Sequence, residues 1–363
     1  MPVLSQRVLL SAYTTLGLGG PAARLVDAVT ADEVVAAVRE ADAAGDPLLV
    51  LGGGSNLVVA DEGFAGTVVR VATRGMTVGR AESGAGGRVA VTVAAGENWD
   101  RLVTWAVAEG LSGIECLAGI PGLAGATPIQ NVGAYGQEVA GVVEAVTVLD
   151  RASGSRAVMA GRQCGFGYRT SLFKVTGAPP TGRYVVLDVT FGLLRDPLSA
   201  PVRYAELAAR LGIGVGERAP LARVRAEVLH LRGGKGMLLD PADPDTASAG
   251  SFFTNPTLDS GQLAELERSV AGRSPGVRVP RFPGQGGTVR VPAAWLIEQA
   301  GFGKGYPGAG AARISSKHTL ALTNRGGAST AELVGLARQI ADGVQAAFGV
   351  RLVNEPVLVG VSL

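Results

Sequence analysis

Apolar and polar positions along the chain change period often, which predicts many short elements of both kinds. Thr30 and Glu33 form a capping box that opens a helix to about Ala44, stopped by Gly45. The unbroken apolar run Leu48-Leu49-Val50-Leu51 reads as a buried strand ending in the turn Gly52-Gly53-Gly54-Ser55-Asn56. Residues 68–71 and 89–94 read as further strands, and residues 97–109 as a helix with Leu102, Trp105 and Ala106 on its apolar face. Residues 142–150 and 156–160 alternate as strands around the hairpin turn Ala152-Ser153-Gly154, and residues 184–194 as another strand. Beyond Pro201 the pattern turns helical. A short run opens at residues 202–207, and helices follow at 221–231, up to about Val270, from Pro292 to Gln299, and from the capping box Ser329/Glu332 to about Phe348. A strand is expected at residues 319–323, and an apolar, strand-like run at 350–361 closes the chain. Residues 7–22 read as a lead-in, since their glycines lack the strand-and-helix setting of a dinucleotide fingerprint. With no βαβ repeat, the pattern is α+β and not doubly wound.

One stretch belongs to neither period. Residues 118–138, AGIPGLAGATPIQNVGAYGQE, carry Gly119, Gly122, Gly125, Gly133 and Gly136 with Pro121 and Pro128. These exclude a regular helix and let the backbone turn sharply and approach a ligand. Thr127, Gln130, Asn131 and Tyr135 stand between them, able to hydrogen-bond a ring system or phosphates. A passive surface loop is the alternative, but a loop of this length without its own secondary structure is uncommon unless it has a function. The turn at 52–56 alone signals little, since a strand-to-strand turn looks the same. Paired with the later loop, it suggests a phosphate-holding cradle.

Composition removes several classes. A net charge of +2 over 363 residues, without basic clusters among aromatics, gives no case for nucleic acid or a membrane surface. Cys116 and Cys164 form neither a metal-spacing pattern nor a disulfide framework, and His230 and His318 sit apart from other ligand types, so no metal site is expected. Neither a signal peptide nor a bilayer-spanning run is visible.

Three residues stand out chemically. Glu355 interrupts the closing apolar run; it is either a desolvated carboxylate or, with Pro356 beside it, part of an edge facing water. Ser251 lies between Gly250 and Phe252-Phe253, placed to face a ligand or to serve as an ordinary turn serine; no nucleophile elbow surrounds it. Arg169, among Tyr168, Thr170 and Phe173, suits a carboxylate with its two-pronged guanidinium, or a surface ion pair.

Taken together, GGGSN at 52–56, GIPGLAGATPIQNVGAYGQE at 119–138, GYRTSLFK at 167–174, GSFFTNP at 250–256, SSKHTLAL at 315–322 and Glu355 resemble the UDP-N-acetylenolpyruvoylglucosamine reductase family over nearly the whole chain. Val202-Arg203-Tyr204 resembles the subtype with a tyrosine-bearing substrate loop. The resemblance implies an α+β fold: a two-subdomain FAD-binding unit of the vanillyl-alcohol-oxidase (PCMH) type, then a separate α+β substrate-binding domain. The implied boundaries are 1–72 joined by 350–363 for the first flavin subdomain, 73–215 for the second, and 216–349 for the substrate domain.

It also implies the chemistry. NADPH reduces a non-covalent FAD, and UDP-N-acetylglucosamine enolpyruvate is then reduced to UDP-N-acetylmuramate for peptidoglycan. Apart from the resemblance, the two cysteines read as reduced, buried thiols of a cytoplasmic protein, and a monomer is expected because no exposed pairing stripe is visible. FAD falls to Gly52, Gly53, Gly54, Ser55 and Asn56, and to Gly119, Pro121, Gly122, Gly125, Ala126, Gln130, Asn131, Gly133, Ala134 and Tyr135. Ser251 matches the proton donor, and Arg169 and Glu355 match the pair that stabilises the enolate-like intermediate; Glu355 helps there only if it holds a proton. Tyr204, Lys235 and Asn255 match positions that grip the UDP substrate, and His318 stands where some relatives have glutamine. Residues 278–290 match no interpretable motif. Two other readings stay open: another FAD-dependent oxidase or dehydrogenase of the same fold, and a non-catalytic flavin or nucleotide-sugar binding protein.

Overall fold

The computed structural model describes residues 3–79 and 87–363. The chain forms two compact units. Unit 1 comprises Met1–Leu9, Pro21–Gly54 and Gly63–Leu238; unit 2 comprises Leu10–Gly20, Ser55–Glu62 and Leu239–Leu363.

Among the described residues, unit 1 holds two larger sheets and a two-stranded hairpin, Gly133–Ala134 with Gln137–Glu138. In the first, Val3–Leu9 pairs antiparallel with Pro21–Ala28, which runs parallel to Phe64–Val71, which in turn runs parallel to Leu48–Leu51. Helix α1 (Ala31–Ala44) buries Val34, Val35, Ala37, Val38 and Ala41, spaced for one helical face. Thr30 caps it by accepting from the Glu33 N–H at 3.2 Å, while the Glu33 carboxylate accepts from the Val29 N–H at 2.9 Å. Gly45 closes it at φ 68°. The expected lead-in is therefore structured: it contains the end of one strand, the start of another, and the crossing between the two units.

The second sheet is antiparallel, ordered Ser155–Ala160, Val143–Asp150, Tyr184–Arg195, Arg88–Ala94, Met76–Val78, with Leu111–Ser112 also on Tyr184–Arg195. Val89, Val91 and Val93 are buried and alternate with more exposed neighbours, as a half-buried strand requires. Helix α2 (Trp99–Ala108), capped by Asn98, packs Trp99 at 5.7 Å from Phe191, and the Trp99 indole donates to the Leu117 carbonyl at 2.9 Å. Helix α3 (Leu172–Val175) is one turn. Helix α4 (Ala205–Leu211) and helix α5 (Leu221–Gly234) bury Leu207, Leu211, Val224 and Val228 in the same core as these strands. Residues 216–238, expected with the substrate domain, therefore pack in unit 1.

Unit 2 centres on the antiparallel sheet Ser248–Ser251, Ala321–Asn324, Ala312–Ile314 and on helices α6 (Ser260–Arg273), α7 (Ala293–Gln299) and α8 (Thr330–Phe348). Helix α8 buries Leu333, Ala337, Ile340, Val344 and Phe348 and has both bonds of its Ser329/Glu332 capping box. Asp61 adds acceptors for the Thr330 and Ala331 N–H groups at 2.7 and 3.0 Å. Residues 278–290 become legible here as a short hairpin, Phe282–Pro283 against Val289–Arg290. The closing run is a strand only at Val357–Val359, parallel to Leu57–Val59. Its earlier part spends its backbone bonds on residues 252–254 instead. Among the described residues, no helix is long and apolar enough to cross a membrane.

Candidate active site

The two glycine-rich stretches meet in unit 1. A Cβ on Gly53 would lie 2.8 Å from the Gly122 Cα, so neither turn can come this close with a side chain at position 53. Gly54 and Gly122 adopt φ 61° and 120°. Among the described residues, the N–H groups of Gly53, Gly54 and Gly122 donate to no acceptor. Other loop glycines serve packing: the Gly119 N–H goes to Asp100 at 2.6 Å, and the Gly125 N–H goes to the Ala95 carbonyl at 2.9 Å. A Cβ on Gly125 would lie 2.4 Å from the Ala95 Cβ.

The rest of the loop is held by its own polar groups. Buried Asn131, at φ 46°, donates to Glu138 and to the Gly167 carbonyl, both at 3.0 Å, and accepts from the Ala140 N–H. The Lys174 ammonium donates to Gln130 at 3.3 Å and to the Arg169 carbonyl at 3.2 Å. Arg169 sits at φ 52°, a conformation disfavoured for a residue with a Cβ. Its guanidinium donates to the Gly133 carbonyl at 2.6 Å and lies 5.4 Å from the Tyr168 ring centre. The adjoining hairpin, Gly133–Ala134 with Gln137–Glu138, presents Tyr135 at φ 49°. Tyr135 meets Tyr204 edge-on at 5.3 Å, and the Lys235 ammonium lies 5.8 Å from the Tyr135 ring centre. Lys235 is also bonded to Glu206 at 2.7 Å. Burial works against the charge of Lys235, but Glu206 and the two tyrosines outweigh it and hold its pKa above the usual lysine value. Burial likewise raises Tyr135 against the opposing pull of Arg232 and Lys235.

Unit 2 assembles its own group. Gly250, at φ 74°, turns the chain into Ser251, which pairs with Ala321. The Phe252 N–H donates to the Leu320 carbonyl at 2.7 Å, bringing the turn with His318 to one side of this segment. On the other side the Glu355 N–H donates to the Phe252 carbonyl at 2.8 Å, and Phe253 bridges to Asn354. Ser251, His318 and Glu355, far apart in sequence, thus share one short stretch of backbone. Asn56 joins them, donating to the Glu355 carbonyl at 3.4 Å and accepting from the Val357 N–H at 2.9 Å. Glu355 is half-buried, between its two sequence alternatives. The Asn255 side-chain oxygen accepts from the Ala293 N–H at 2.9 Å, at the start of α7.

Three supporting residues escaped the sequence reading. Asp245 is buried and accepts from the Ser316 N–H, the Ser316 hydroxyl and Arg325 at 2.6–2.8 Å, which fixes the turn leading to His318. Burial disfavours its charge, but the Ser316 bonds and Arg325 outweigh that and hold its carboxyl below the usual range. Arg232, at the end of α5, is buried, and its Nε has no hydrogen-bond partner among the described residues. A Cβ on Gly119 would lie 3.3 Å from that nitrogen. Glu115 is fully buried beneath the Tyr135 hairpin. A lone charged residue in a loop gives no period or motif to mark it. The one available signal is the acid itself, set between Ile114 and Cys116-Leu117.

Comparisons with known proteins agree with this arrangement. Residues 22–159 match the family model described as FAD binding domain, and residues 241–359 match that of the UDP-N-acetylenolpyruvoylglucosamine reductase C-terminal domain. The chain is 56% identical to the UDP-N-acetylenolpyruvoylglucosamine reductase of Thermobifida fusca over 99% of both chains. It is 57% identical to that of Salinispora arenicola over 98% of this chain and 95% of the relative. The crystal structure of UDP-N-acetylenolpyruvylglucosamine reductase from Thermus caldophilus superposes with a TM-score of 0.64 at 29% identity, covering 99% of this chain and 100% of that one. At this identity and coverage, the chain belongs to the UDP-N-acetylenolpyruvoylglucosamine reductase family.

Proposed function

We propose that the chain reduces UDP-N-acetylglucosamine enolpyruvate to UDP-N-acetylmuramate with NADPH, using a non-covalent FAD, in peptidoglycan precursor synthesis. The observation that carries this reading beyond the family is the convergence of Ser251, His318 and Glu355 on residues 251–253, since a flavin-binding function alone does not call for these groups together. The facing turns at Gly53 and Gly122 fit the FAD diphosphate, offering close backbone approach and uncommitted N–H groups. When bound, FAD supplies the hydride that NADPH provides and that the enol-ether methylene carbon receives.

The chain's own residues do the rest. Hydride arriving at the methylene carbon builds negative charge that spreads onto the adjacent carboxylate, and the Arg169 guanidinium is the group that offsets it. The Ser251 hydroxyl delivers a proton to the neighbouring carbon and is reprotonated from solvent or a neighbour. Glu355 assists at the enolate oxygen only when it holds a proton, because a bare carboxylate would repel the growing charge. Tyr204, Lys235, Asn255 and His318 hold the UDP-sugar. Residues 1–72 with 350–363, and 73–215, serve the flavin, while 216–349 serve the substrate; α5 carries Lys235 from within unit 1. The enzyme acts as a cytoplasmic monomer.

Because proton donation belongs to the second half of the reaction, Ser251→Ala should leave NADPH reduction of the flavin within about twofold. It should slow reoxidation by the enolpyruvyl substrate by at least about a hundredfold. Stopped-flow flavin absorbance reads both steps, and equal losses in the two would refute the assignment of Ser251. An oxidase of the same fold would instead return the reduced flavin with oxygen alone, at a rate the substrate does not change.

A further inference from the structure

We infer that Glu115 is a positioning residue that sets Tyr204 for substrate through a buried carboxylate clamp; this rests on the reading of Tyr204 as a substrate contact. Glu115 is 0% exposed, and a carboxylate there is tolerated only if hydrogen bonds replace water. Three donors from three segments do so. The Gly113 N–H reaches one oxygen at 2.6 Å, and the Gln137 side-chain amide and the Ala200 N–H both reach the other at 2.8 Å. Gln137 is locked in orientation because its oxygen accepts from the Cys116 N–H at 2.8 Å. Gln137 belongs to the hairpin that presents Tyr135, and Ala200 lies four residues before Tyr204. The same two segments touch again at their tips. A Cβ on Gly136 would lie 3.2 Å from the Arg203 Cβ, and the Tyr135 and Tyr204 rings meet at 5.3 Å. Ser199 is held from its other side, accepting from Arg218 at 2.7 Å. One carboxylate thus fixes the spacing of the two strips whose tyrosines face each other.

Glu115→Gln tests this because no rotamer of an amide suits all three donors: its NH2 must oppose either the Gly113 N–H or those of Ala200 and Gln137. In FAD-loaded enzyme, the Kd of the enolpyruvyl substrate, read from the oxidised flavin spectrum, should rise about tenfold. The reoxidation rate at saturating substrate should stay within about threefold, since the clamp touches no reacting group. Gln137→Met, which removes the hairpin-side donor together with the acceptor of the Cys116 N–H, should give the same split at smaller size and decides the matter if Glu115→Gln does not fold. The double variant Glu115→Gln/Tyr204→Ala should bind no more weakly than Tyr204→Ala alone. A Kd unchanged in the Glu115 and Gln137 variants, or a double variant showing the full product of the two single losses, would overturn the proposal. If Tyr204→Ala itself leaves the Kd unchanged, the reading of Tyr204 fails and the proposal falls with it.

Discussion

Gly53 has no room for a side chain, since a methyl group there would press on the Gly122 backbone at 2.8 Å. Gly53→Ala must therefore push the two turns apart, at about 1–3 kcal/mol of overpacking. Titration of apoprotein with FAD should show affinity falling at least about tenfold, and the apoprotein should lose stability by no more than that strain. Unchanged affinity would mean that the close approach does not serve the flavin. At this scale the sequence was most informative where a residue type is rare in its setting: glycine beside glycine, arginine among aromatics, an acid in an apolar run. It was silent where the setting is itself built by folding. Nothing around Glu115 announces that Gln137 and Ala200 will converge on it, and Asp245 sits in a stretch that reads as a plain loop.

Among elements, capping chemistry and gapped apolar spacing were legible, as α1 and α8 show, because these signals are contained within one turn of chain. The strand Pro21–Ala28 was not legible, because it pairs on both sides, antiparallel and parallel, and its burial follows no simple alternation. The closing run failed differently. Its apolar content is real, but residues 353–355 bond to residues 252–254, so the strand begins only after Pro356. Ion pairs at strand ends are likewise invisible before folding. Asp150, ending Val143–Asp150, takes two bonds from Arg183 at 2.6 and 2.7 Å, just before the partner strand begins. Bonding to Arg183, aided by the Ala152 N–H, lowers the Asp150 carboxyl from 3.8 to about 2. A lowered folded-state value means stability that is present above pH 3.8 and lost as the pH falls through about 2. The gap in urea midpoint between wild type and Asp150→Asn should therefore be constant from neutral pH to about 4 and shrink toward pH 2. A gap that is equally wide at both ends would contradict the pairing.

For the whole molecule, two cores stand behind two sets of chemical groups. Unit 1 carries the facing glycine turns with Arg169, Tyr204 and Lys235; unit 2 carries Ser251, His318 and Glu355. The sequence pointed to both sets, but not to the packing of α5 in unit 1, because a helix's apolar stripe does not say which core it enters. The most direct test follows flavin absorbance under anaerobic conditions while NADPH and then UDP-N-acetylglucosamine enolpyruvate are added to the purified protein. The expected result is bleaching by NADPH and full recovery on adding the enolpyruvyl substrate, with UDP-N-acetylmuramate formed in step. Bleaching without recovery, or no flavin spectrum even after FAD is supplied, would contradict it.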